Sequence, residues 1–168
     1  AALDLPPPVL PVLPPDPFPV QLAAVLEARP PLFSFTFGIP DAADIARLKT
    51  AGITVVGSAT TVEEARLLEE AGVDGIVAQG AEAGAHRGTF AGGFEASMVP
   101  TAELVRGIVA SIRLPVTASG GLMNGADIAA VLRLGAVAAA LGTAFLVCPE
   151  SGAPAAHKQA ILAARSDT

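Results

Sequence analysis

The chain of 168 residues contains no Trp, no Tyr, a single Cys and only two His. Without Trp and Tyr a broad recognition surface lacks its usual anchors. A lone cysteine, Cys148, closes no internal disulfide, which fits a reducing, cytoplasmic compartment. Charge is also scarce, at 15% of residues against about a quarter in ordinary globular domains. What charge there is sums to −6, and an acidic surface repels phosphate backbones, so nucleic acid is not an expected partner. The hydrophobic content of 52% excludes intrinsic disorder. No apolar run reaches about 18 residues, so nothing in the sequence reads as a membrane span. The first twenty residues lack the basic flank and unbroken apolar stretch of a signal peptide. They also lack an initiator Met, which points to processing or to a fragment.

What is present is proline, glycine and a regular rhythm. Pro6, Pro7, Pro8, Pro11, Pro14, Pro15, Pro17 and Pro19 crowd the start. Proline fixes φ and donates no hydrogen bond, so this stretch is expected to be neither helix nor central strand. Residues 1–31 therefore read as a Pro-rich lead-in, and 32–168 as the structured domain. Within that domain strands are expected at Leu32–Phe37, Thr54–Ser58, Gly75–Ala78, Pro115–Ala118 and Ala136–Leu141. Helices are expected at Asp41–Ala51, Thr61–Ala71, Thr101–Ser111, Gly125–Leu134 and Ala155–Arg165. Gly52, Gly72 and Gly135 fall between a helix and the next strand, where a left-handed cap belongs. Strand starts are about 22, 21, 40 and 21 residues apart. Such a period means parallel β–α units, with strands buried on both faces. The long spacing holds a polar, Gly-rich loop from Gln79 to Pro100, and loops at the C-terminal strand ends build the site in such folds.

The strand ends are small or polar: Thr36–Gly38, Ser58–Thr61, Gln79 and Gly80, Ser119–Gly121, and Gly142 with Thr143. Glycine there lets backbone approach a ligand, and N–H groups beside helix starts attract an anion. In barrels the loops after the last two strands commonly hold a cofactor phosphate. His86 sits inside QGAEAGAHRG (79–88), where an imidazole serves as general base or as donor to an anionic substrate. Glu82 and Arg87 flank it, either to orient it or as solvated charges. His157 reads as exposed surface and Cys148 as a buried structural thiol. Glu63, Glu64, Glu69 and Glu70 read as a wet helix face. No His, Cys or paired carboxylate lies at metal-ligand spacing.

These runs resemble a known family. FSFTFG (33–38), GSATTVEEA (57–65), GVDGIVAQGAEAGAHRGTF (72–90), PVTASGGLMNG (115–125) and LGTAFLVCPES (141–151) look like the nitronate monooxygenases, in unbroken order from Phe33 to Ser151. The resemblance implies an FMN-dependent TIM barrel that oxidises alkyl nitronates, or nitroalkanes, with molecular oxygen. It implies His86 as the catalytic histidine. Gly121, after the family's seventh strand, and Gly142 with Thr143, after its eighth, become the phosphate-binding residues. Ser58, Gln79 and Gly84 become flavin contacts, and Gly80 and Gly120 belong to the same strand ends. Ala85 stands where the family usually has a second Gly. The family's first three strands have no counterpart here, so the expected fold is α/β, the C-terminal five strands of a TIM barrel. A homo-oligomer or a complementing chain is the expected means of completing it. Two other readings remain open: a flavin-dependent enoyl or NAD(P)H:quinone reductase of the same superfamily, and a truncated homologue without catalysis.

Overall fold

The computed structural model describes residues 15–84 and 86–164. The earlier prolines, Ala85 and Arg165 lie outside the described residues. Five strands form one sheet in chain order: β1 (Leu32–Phe35), β2 (Thr54–Ala59), β3 (Gly75–Gln79), β4 (Val116–Ser119) and β5 (Ala138–Ala140). Every neighbouring pair is parallel, as the β–α period predicts. Between them run α2 (Ala42–Thr50), α3 (Val62–Glu70), α4 (Thr101–Val109) and α5 (Gly125–Arg133). A single-turn 3₁₀ segment, Glu95–Ser97, interrupts the long loop before α4. Past β5 come a one-turn helix α6 (Thr143–Leu146) and then α7 (Ala155–Ala163). No described helix is long and apolar enough to cross a membrane.

Local chemistry explains the element ends. Thr61 caps α3 by accepting the Glu64 N–H at 3.1 Å. Asn124 and Asp127 form a reciprocal capping box on α5. At the other ends of α2, α3 and α5, Gly52, Gly72 and Gly135 adopt φ of 78°, 85° and 98°. In each, the next residue's N–H returns to a carbonyl in the last turn: Ile53 to Leu48, Val73 to Leu68, Ala136 to Val131. All six of those side chains are buried, so each cap also feeds the core.

One helix contradicts the sequence expectation. Residues 18–20, expected to be neither helix nor strand, belong to α1 (Phe18–Ala28), which buries Leu22 in the core. Pro17 is the N-cap and Pro19 lies in the first turn, where a proline removes only an N–H that has no helical partner. Proline density was thus the wrong signal for these residues.

One face of the sheet, carrying Val55, Ala59, Ile76, Ala78, Val116 and Ala118, packs against Leu48, Leu68, Leu104, Val105 and Ile108 of the helices. Burial on both faces is not what the described residues show. Val56, Ser58, Val77, Gln79, Thr117 and Ser119 point the other way and are half-buried, and Ala138 and Ala140 are exposed. Five strands make an arc and do not close on themselves, so the face opposite the helices stays open. Cys148 is half-buried, not buried, and His157 is exposed on α7.

Candidate functional site

Parallel strands put all their C-terminal ends at one edge of the sheet, and register places Gln79, Ser119 and Ala140 side by side there. Directly above them lies a cleft of about 540 Å³, within the size range of small-molecule sites. Six of the expected cofactor-binding residues line it, Gln79, Gly84, Gly120, Gly121, Gly142 and Thr143, together with Glu82 and Ser119. Gly120 and Gly121 turn the chain at φ of 119° and 67°, and a Cβ at Gly121 would press on the Glu82 side chain at 2.9 Å. Gly142 faces open space. Among the described residues the N–H groups of Gly121, Leu122 and Gly142 donate no hydrogen bond to the protein. They are free to hold an anion at the cleft.

Ser58, Gly80 and His86 do not line this cleft. Gly80 is buried beneath α4, where a Cβ would come within 2.5 Å of the Thr101 Cα; it serves close packing of the strand end under a helix. Ser58 shares a hydrogen bond with Thr36 at 3.0 Å, over the ends of β1 and β2. His86 is exposed and meets the Phe37 ring edge-on, with centroids 6.1 Å apart and planes at 87°. Its carbonyl accepts from Gln79 Nε2 at 3.0 Å, while Gln79 Oε1 takes the Gly88 N–H at 2.8 Å. The lining residue Gln79 thereby holds both sides of the histidine's position in the loop.

The flanking charges do not orient the imidazole. Arg87 donates to the carbonyls of Gln79 (2.7 Å), Gly80 (2.6 Å) and Ser97. Burial lowers the Arg87 guanidinium from its ordinary range, and the charges of Glu64 and Glu82 partly offset this. Glu82 Oε2 accepts from the Thr101 N–H at 2.8 Å and hydroxyl at 2.7 Å, capping α4 from a distant loop. Glu64 overturns the wet-face reading outright, for it is fully buried. One carboxylate oxygen takes the Thr60 N–H (2.6 Å) and hydroxyl (2.7 Å), and the other takes the N–H groups of Phe90 (2.6 Å) and Ala91 (2.8 Å). Four donors satisfy this buried carboxylate. Two of those donors lie 26 and 27 residues downstream, beyond the reach of any helical pattern. Among the described residues no three His, Cys, Asp or Glu side chains gather as a metal site.

The nitronate monooxygenase family model matches residues 12–168. The chain belongs to the nitronate monooxygenase family. It is 50% identical over 152 residues to a nitronate monooxygenase of Paraburkholderia phytofirmans, covering 89% of this chain and 42% of that protein. Among solved structures it is similar to the nitroalkane oxidase of Streptomyces ansochromogenes, with TM-score 0.80 and 47% identity over 85% of this chain and 42% of the other. FabK of Thermotoga maritima matches at TM-score 0.74 and 33% identity, over 85% of this chain and 43% of that one. The chain thus spans under half the length of these relatives. Its five parallel strands form part of the TIM-type α/β barrel of this family.

Proposed function

We propose that this chain carries the cofactor-phosphate cleft and the histidine loop of an enzyme that oxidises alkyl nitronates with molecular oxygen. The observation that carries the reading is the cleft itself. It brings the turn after β4, the turn after β5 and the loop after β3 to one place, with the N–H groups of Gly121, Leu122 and Gly142 unpaired among the described residues. That donor set fits the phosphate of FMN, and the open space beside the bare backbone of Gly142 allows its close approach. Thr143, beside Gly142, would share the phosphate, and Gln79 and Gly84 would border the rest of the cofactor. FMN would supply the electron transfer; the protein supplies binding, orientation and polarity.

His86 would do the protein's own chemistry. Its exposed imidazole can hydrogen-bond the charged nitro oxygens of a nitronate, or take the α-proton of a neutral nitroalkane. The two roles separate experimentally. His86→Asn is expected to lower kcat/KM on nitroalkanes by about 10²–10⁴, and on preformed nitronates far less, because only the former must lose a proton. Equal losses assign His86 to anion binding. No loss in flavin-loaded protein removes it from the reaction.

The decisive test of the cofactor is simple. Purified protein supplied with FMN should retain it and turn yellow, and a Gly142→Leu variant should not, while His86→Asn should. A colourless wild type that ignores FMN would support the non-catalytic reading. Bleaching of bound flavin by NADH without nitronate would favour the reductase reading.

A further inference from the structure

Phe37 has a conformation that packing alone does not explain. Its φ is 72°, in the left-handed region that a bulky side chain rarely adopts. Arg29 shares that region among the described non-glycine residues, but it ends α1, where such a cap is ordinary. Phe37 follows a strand, and burial does not compensate its backbone, because the residue is 64% exposed. What the turn achieves is placement: the ring meets the His86 imidazole edge-on at 6.1 Å. An exposed aromatic face and an exposed imidazole thus stand together at the C-terminal end of the sheet. Backbone strain of this kind persists where the surrounding structure enforces it, typically at working sites.

We propose that Phe37 positions the His86 imidazole and forms the apolar wall against which the hydrocarbon part of the substrate lies. The proposal rests on the reading of His86 as the residue that meets the nitro group. An alkyl nitronate has its charge on the nitro oxygens and hydrocarbon elsewhere. With the oxygens at His86, the adjoining Phe37 ring is the apolar surface next to the alkyl chain, so this residue sets chain-length preference.

Two variants separate ring from backbone. Phe37→Leu keeps hydrocarbon but loses the ring, and Phe37→Asn tolerates positive φ while removing the hydrocarbon. The first readout needs neither flavin nor substrate. The chain has only two histidines, so ring NMR signals of ¹³C-histidine protein resolve His86, with His157 on α7 as the internal reference. Ring-current displacement of the His86 signals is expected in wild type and absent in both variants, with His157 unchanged. His86 signals identical in all three proteins overturn the positioning role. The second readout is kcat/KM of flavin-loaded protein on preformed nitronates of increasing chain length. Wild type is expected to gain up to about fourfold per methylene. Phe37→Leu should keep most of that slope and Phe37→Asn should flatten it. An unchanged slope in Phe37→Asn overturns the wall. If flavin-loaded wild type turns over no nitronate, the functional reading fails and the wall falls with it, while the NMR signals still decide the contact with His86.

Discussion

Glu64 binds three stretches of chain at once: its own helix, the end of β2 at Thr60, and the returning limb of the histidine loop at Phe90 and Ala91. Glu64→Gln puts an amide donor where two donors already point. Each orphaned buried group costs about 1–3 kcal/mol, so a loss of roughly 2–6 kcal/mol is expected in urea unfolding, with faster amide exchange at Phe90 and Ala91. An unchanged midpoint would show that the loop is held elsewhere. The glycines divide at the same scale. Gly80→Ala forces a Cβ against the Thr101 backbone and should cost about 1–3 kcal/mol or more through overpacking. Gly142→Ala enters open space at an ordinary φ of −115° and should leave stability within about 0.5 kcal/mol. Flavin lost on enlarging Gly142 would therefore report on binding and not on folding.

Among the elements, an ion pair fastens the α2 end to the entry of β3. Lys49 Nζ lies 2.8 Å from Asp74 and also donates to the Gly72 carbonyl at 2.7 Å, while Asp74 accepts the Val55 N–H at 2.9 Å. Burial pushes the Asp74 carboxyl up, but the Lys49 hydrogen bond, the Val55 N–H and the Lys49 charge outweigh it and hold the group below its ordinary 3.8. A carboxyl depressed on folding stabilises the fold fully above that ordinary value, and the contribution disappears as pH falls through the lower folded value. Asp74→Asn should thus lose stability at pH 7 yet show a flatter acid limb below about pH 4 than wild type. Equal acid limbs in the two proteins would refute it. The element ends were mostly legible because capping is local chemistry: Thr61 before Glu64, and glycines at 52, 72 and 135, each act within one turn. The start of α1 was misread for an equally local reason, since proline forbids a helix interior but suits a first turn.

Across the whole molecule, the helix-covered face of the sheet is a closed core, and the opposite face stays half-buried or exposed among the described residues. A ligand that binds only the folded form raises stability by mass action, about 2.7 kcal/mol at a hundredfold excess over Kd. FMN should accordingly raise the Tm of wild type and of His86→Asn, and leave that of Gly142→Leu unmoved. A rise in all three would place the phosphate away from Gly142. The parallel order of the strands, their spacing and the glycine turns over the cleft were determined by the sequence itself, because a repeated β–α period and a residue without Cβ constrain the backbone wherever they occur. Only the tertiary structure decided that Glu64 is buried, that Arg87 and Glu82 clamp backbone instead of His86, and that Phe37 faces the imidazole. Each of these depends on partners brought together from different β–α units, and the environment of a side chain, unlike the preference of its backbone, exists only once those units have packed.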